Sequence, residues 1–163
     1  MSGPAAPESE GPPTITPHLT VRNAARAIDF YRQAFGAQEV LRMPSPDGRS
    51  ILHAELRIGG SVLYLNDEDP DEGCFSPESL GGNAMSLQLY VDDVDTVFEL
   101  ALAHGATVRM PVEDMFWGDR YGKIVDPFGY EWAIATRREV LTPEEVRRRA
   151  EEFAGPYTAP HSA

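Results

Sequence analysis

The chain contains an internal repeat. Leu19-Thr20-Val21 returns as Leu89-Tyr90-Val91 at an offset of 70 residues, and Phe35-Gly36-Ala37 returns as His104-Gly105-Ala106 at 69. Gly60 falls opposite Gly129 at the same spacing of 69, each in the turn before a last strand. The shared order matters more than any single triplet, because a unit built twice must bury its apolar faces twice in the same succession of elements. Each copy reads as a strand, a helix and three further strands.

In the first copy, residues 15–21 alternate, with Ile15, Leu19 and Val21 on one face and Thr16, His18 and Thr20 on the other. Asn23 offers a helix N-cap, and Ala24, Ala27, Ile28, Tyr31 and Phe35 recur at three- and four-residue steps until Gly36 stops the helix. Strands follow at 39–43, 50–58 and 61–66, separated by Pro44-Ser45-Pro46-Asp47-Gly48 and by Gly59-Gly60. In the second copy, strand 86–91 leads to a helix capped by Asp92 or Asp93, with Val94, Val97, Phe98 and Leu102 inward and Gly105 at its end. Strands near 107–110, 123–125 and 131–135 complete it. A last helix is signalled by Thr142, Pro143 and Glu145, a capping box, with Val146, Ala150 and Phe153 as a narrow apolar stripe and Gly155 as the stop. Its Arg147-Arg148-Arg149 run reads as a solvated face or as a contact for an acidic partner.

The chain has 163 residues, and these assignments divide it into a disordered leader (1–13), module one (14–66), an acidic connector (67–83), module two (84–138), the terminal helix (139–155) and a tail (156–163). The fold class expected is α+β. With 14 Lys+Arg against 26 Asp+Glu, the formal charge of −12 argues against a phosphate-tracking nucleic-acid binder. Part of that charge lies in the Asp67–Glu72 run, which reads as a solvated linker without the regular acid spacing of a calcium loop. Cys74, the single cysteine, permits neither an intrachain disulfide nor a Cys-based zinc site, and it reads as an exposed loop thiol. No apolar run approaches the roughly 18 residues that cross a bilayer, and no secretory leader is evident, so a cytoplasmic protein without a membrane partner is expected.

Several segments together resemble the vicinal oxygen chelate superfamily, which includes glyoxalase I, bleomycin-resistance proteins and extradiol dioxygenases. They are Ala27-Ile28-Asp29-Phe30-Tyr31 with Phe35-Gly36-Ala37, Val91-Asp92-Asp93-Val94-Asp95, Trp117-Gly118-Asp119-Arg120-Tyr121-Gly122, and Asp126-Pro127-Phe128-Gly129-Tyr130-Glu131-Trp132. The resemblance implies two βαβββ modules whose mixed sheets curl around a cavity, within a homodimer. In metal-using members four side chains reach into that cavity, and the matching positions here are Thr16, Tyr64 (or Val62), Ser86 and Ala133. None is His, Asp or Glu, and an alanine cannot ligate at all.

Another metal site would need other residues. His104 ends a helix, and His161 lies in the tail. His18, His53 and Glu55 have the chemistry of a two-histidine, one-carboxylate set, and His53 and Glu55 share a strand face. They read more simply as a polar pocket lining or as structural hydrogen bonding. Strand parity adds Val62, Tyr64, Asn66, Gln88, Tyr90 and Glu131 to the cavity candidates. Trp117, Arg120 and Tyr121 fall in a loop before a late strand, where Phe116 and Trp117 read either as ordinary packing of a long loop against the sheet or as rings that stack on a planar or cationic ligand. Arg120 reads as a carboxylate-orienting group or as a partner of Asp119 or Asp126, and Asp126-Pro127-Phe128-Gly129 reads as a turn. The expected function is a metal-free binder of a small organic ligand. The alternative is a lyase, isomerase or dioxygenase with a divalent metal ion relocated to His18, His53 and Glu55.

Overall fold

The computed structural model describes residues 13–154, so the leader before Pro13, the stop at Gly155, the tail and His161 lie outside the described residues. Two compact units emerge, the first ending at Leu80 and the second beginning at Gly81.

The first unit runs β1 (His18–Val21), α1 (Ala24–Phe35), β2 (Gln38–Pro44), β3 (Ile51–Ile58) and β4 (Ser61–Asp67). Its sheet has the order β1-β4-β3-β2, with β1 parallel to β4 and the other pairs antiparallel. Leu19, Val21, Ala54, Leu56, Leu63 and Leu65 point to one face, and α1 closes it with Ala24, Ala27, Ile28, Tyr31 and Phe35. Each fully buried Leu or Ile contributes about 1.5–3 kcal/mol, so this one-sided core is what orients the opposite, polar face. Asn23 caps α1 as its sequence position predicts, accepting from the Arg26 N–H at 3.0 Å.

β1 is shorter than the alternation of residues 15–21 suggested. Pro17 has no N–H to give a ladder, although its carbonyl accepts from Tyr64 N at 2.9 Å, and pairing begins at His18. Ile15 is therefore 85% exposed instead of sharing the core face, and Thr16 precedes the strand. The acidic run also departs from a solvated linker. Asp67 closes β4 and accepts the first helical N–H, Ala24 N, at 2.7 Å and Ile51 N at 2.6 Å. A 3-10 turn (Pro70–Glu72) and a short helix α2 (Pro77–Leu80) follow. Cys74 is exposed and in no disulfide.

The second unit repeats the plan: β5 (Ser86–Tyr90), α3 (Val94–Ala103), β6 (Thr107–Asp114), β7 (Asp119–Val125) and β8 (Glu131–Arg137), in the order β5-β8-β7-β6 with β5 parallel to β8. Asp93, not Asp92, caps α3. Val94, Phe98 and Ala101 of α3 are buried, as are Ile124, Trp132 and Ile134 of the strands they face. Asp126 fixes the turn before β8 by accepting from Phe128 N and Tyr130 N, both at 2.9 Å, and from Trp132 Nε1 at the same distance. The matching turn of the first unit is tighter, and its positive φ of 56° belongs to Gly59, one residue before the Gly60 expected from the repeat.

A helix α4 (Pro143–Ala154) follows β8. Its capping box is formed: Glu145 N donates to Thr142 Oγ1 at 3.2 Å, and Thr142 N donates to Glu145 Oε2 at 2.9 Å. The stripe is less buried than its spacing suggested, with Phe153 70% exposed. Among the described residues, no helix is long and apolar enough to cross a membrane.

Candidate functional site

Each sheet has one face covered by its helix and one open face, and the candidate residues sort accordingly. In the first sheet, register places His18 opposite Tyr64, and Tyr64 opposite Glu55. His53 and Glu55, two apart on β3, lie on the same face, with His53 Nε2 3.3 Å from Glu55 Oε1. The rings of His18, His53 and Tyr64 meet edge to face, with centroids 5.8 Å apart for the two histidines and 4.9 Å for His53 and Tyr64. Burial lowers the His18 pKa, the neighbouring His53 lowers it further, and a hydrogen bond with Asn66 acts in the opposite direction. His18, His53, Glu55, Tyr64 and Asn66 thus form one group, exposed at His18 and half-buried elsewhere. Among the described residues, however, no three His, Cys, Asp or Glu side chains are grouped to hold a metal ion.

In the second sheet, register aligns Gln88 with Ala133, Tyr90 with Ala135, and Tyr121 with Ala135 from the other side. Two small residues on the central strand, both buried, are flanked by larger side chains on its neighbours. At one end of this face stands Asp119, 4% exposed. Its Oδ2 accepts from Tyr90 Oη at 2.8 Å and from Trp117 Nε1 at 3.1 Å. Trp117 meets Tyr121 edge to face at 5.3 Å, Phe116 meets Trp117 at 5.0 Å, and Phe153 of α4 meets Phe116 at 5.2 Å. Arg137 places its guanidinium 5.0 Å above the Tyr90 ring and its Nε 3.7 Å from Asp119 Oδ1. At the other end, Lys123 Nζ donates to Glu131 Oε1 at 2.8 Å.

Arg120 and Tyr121 belong to β7 and not to the loop expected from sequence, because β6 and β7 extend to meet at a short turn. Pro111 is accommodated by register shifts in β6, and Met115 N donates to Asp119 O at 2.8 Å to close the hairpin. Successive strand residues face opposite ways, so Arg120 leaves the open face to Tyr121. Its guanidinium holds Asp95 of α3 through two bonds of 2.7 Å and Asp114 at 3.2 Å, in place of Asp119, Asp126 or a ligand carboxylate. Residue type alone did not single out Asp119 and Arg137 as parts of this site. For Arg137 the available signal was parity, since it lies six positions beyond Glu131 on β8; Asp119 fell in a segment read as a loop, where parity gives no signal.

The sequence from Pro13 to Ile134 matches the family model of the Glyoxalase/Bleomycin resistance protein/Dioxygenase superfamily. The chain belongs to that superfamily. An uncharacterized protein of Mycobacterium tuberculosis (strain H37Rv) is 45% identical over 139 residues, covering 83% of this chain and 81% of its own. Among solved structures, TioX from Micromonospora sp. ML1 is similar at 28% identity with a TM-score of 0.58, covering 76% of this chain and 97% of TioX. A gene product of Arabidopsis thaliana gives 28% identity and a TM-score of 0.61, covering 76% and 98%. The two four-stranded mixed sheets are those of this fold.

The metal used by some members of the superfamily does not fit the residues at the corresponding positions. Thr16 lies ahead of β1, Ser86 offers a neutral hydroxyl, Tyr64 packs against two imidazoles, and Ala133, opposite Gln88, has no donor atom.

Proposed function

We propose that this protein binds a small organic molecule at the open face of its second sheet, as a homodimer, and holds it without the superfamily's metal chemistry. The observation that carries this reading is the donor set at Thr16, Tyr64, Ser86 and Ala133, which supplies no imidazole and no carboxylate for a divalent ion. What the open face supplies instead is suited to organic recognition. Gln88 is an amide donor and acceptor, Tyr90 and Tyr121 offer half-exposed rings, and Trp117 is oriented by its hydrogen bond to Asp119.

Trp117 is also the natural reporter. Titration of the purified protein with a panel of aromatic and heteroaromatic compounds is expected to quench or shift its fluorescence, and Trp117→Phe to abolish the signal while calorimetry still detects heat. A panel without a single hit by either method would sink the reading.

The competing reading is a metal-dependent lyase, isomerase or dioxygenase using His18, His53 and Glu55. The shared face and the 3.3 Å contact between His53 and Glu55 speak for it. Elemental analysis separates the two. Stoichiometric Fe, Mn, Ni or Zn that disappears in His53→Ala overturns the metal-free reading, whereas metal well below stoichiometry, with a melting temperature indifferent to chelator, is expected here.

A further inference from the structure

Asp119 is a buried carboxylate with unequal oxygens. Oδ2 takes two neutral donors, Tyr90 Oη and Trp117 Nε1, within 3.1 Å. Oδ1 faces Arg137 Nε at 3.7 Å, beyond the range of a direct hydrogen bond. Arg120, Arg148 and Arg149 of this unit are held more closely, at 2.7 Å from Asp95, 2.7 Å from Glu152 and 2.9 Å from Glu139, whereas Arg109 stands as far from Glu131, at 3.7 Å. Arg137 is the last residue of β8 and its side chain is 58% exposed, so withdrawing it into water strands no buried charge of its own. What it would uncover is a ring face, a buried carboxylate and a neighbouring indole.

Those three surfaces have one chemistry in common. A ring face attracts a cation, and a buried carboxylate favours one that can donate directly to the oxygen that Arg137 faces only at 3.7 Å. An N–H-bearing head satisfies both, whereas a quaternary ammonium satisfies only the ring. The corner is reached from the open face, where Tyr90 is half-exposed and Trp117 partly so.

We propose that the Tyr90–Trp117–Asp119 corner receives the protonated amine of an organic ligand, and that Arg137 is the resident cation this amine displaces. The inference rests on the open face of the second sheet being the ligand site, and it adds the charge of the ligand and the residue that competes with it. A ligand amine donates to Asp119 Oδ1 and lies over Tyr90, and Arg137 moves to solvent. Arg137 therefore weakens binding in the resting protein, and its removal strengthens it.

The experiment compares 2-phenylethylammonium with its neutral isostere 2-phenylethanol at pH 7, by calorimetry and Trp117 fluorescence, on the full chain. The ammonium is expected to bind, and the alcohol to bind at least about tenfold more weakly, since the buried carboxylate gains no charge-assisted bond from it. Arg137→Ala is expected to tighten the ammonium by about two- to fivefold, the scale of one exposed cation–ring contact. Asp119→Asn and Tyr90→Leu are expected to weaken it. Tyr90 is half-exposed, so that variant keeps the test valid if Asp119→Asn folds poorly. An ammonium that binds no better to Arg137→Ala overturns the displacement. Equal affinity for ammonium and alcohol, or a neutral compound bound from the wider panel while the ammonium is ignored, overturns the cation preference and leaves the ligand-binding reading standing. If neither probe nor any panel compound binds, both fall.

Discussion

Glu68 shows how a single side chain can differ from the segment that contains it. It sits in an acidic run, yet Ser79 Oγ donates to it at 2.6 Å, Ser76 N at 3.0 Å and Arg22 Nε at 3.1 Å. The bonds from Ser79 and Ser76, followed by Arg22, push its carboxyl down to about 2. A depressed carboxyl binds protons less readily in the folded chain than in the unfolded one. Its contribution is complete above the ordinary range near 4.5 and is lost as pH falls toward about 2. Glu68→Gln is therefore expected to be less stable than the parent at pH 7, with the gap closing as pH falls below 4. Urea unfolding of both proteins across that range checks it, and a gap independent of pH would show that shape matters here and charge does not. Composition showed only an acidic cluster, because the serines that engage Glu68 follow it by 8 and 11 residues and meet it only once α2 has formed. His53 and Glu55 were easier to place, since two-residue spacing on a strand sets them on one face.

At the scale of elements, α4 was legible to the residue at its start and not along its length. Thr142, Pro143 and Glu145 act locally, so their spacing is sufficient to specify the cap. What α4 packs against depends on distant partners. Arg149 pairs with Glu139 at 2.9 Å and reaches Phe116 O at 3.5 Å, and Phe153 meets Phe116, which touches Trp117. The helix is thereby tied to the aromatic corner of the candidate site. Thr142→Ala is expected to cost about 1 kcal/mol of helix stability. Because α4 is mostly exposed, that loss should appear as faster amide exchange from Val146 to Ala150 while the global melting temperature changes little. A fall of many degrees would show that α4 belongs to the cooperative core. β6 and β7 illustrate the opposite limit. Pro111 and the two register shifts hid the length of that hairpin, and the hairpin in turn decides that Tyr121 faces the open side and Arg120 faces α3.

For the whole molecule, the duplication is the feature that sequence carries best, since apolar spacing, caps and glycine stops act over a few residues and are simply repeated. The open faces are less legible, because their chemistry arises where β8 meets β5, a strand from a distant part of the chain, and β7, whose extent the sequence hid. Charge at this scale poses a contest that the structure can decide. A net charge of −12 implies self-repulsion, which acidification would relieve and so stabilise the fold. Against this stand carboxyls held below their usual range by native partners in both units: Glu68 by Ser79, Asp93 by Thr96, Asp95 by Arg120, Glu139 by Arg149 and Glu145 by the Thr142 backbone. Repulsion between separated surface charges is largely screened beyond about 8 Å at physiological ionic strength. The native pairs act at 2.6–3.2 Å and are screened far less. Local partners should therefore prevail: the melting temperature is expected to stay nearly level from pH 7 to pH 5 and to fall steadily below pH 4.5, in 0.15 M salt. A melting temperature that climbs as pH drops through 4 would show that self-repulsion governs instead. Lowering the salt tenfold should then enlarge the climb.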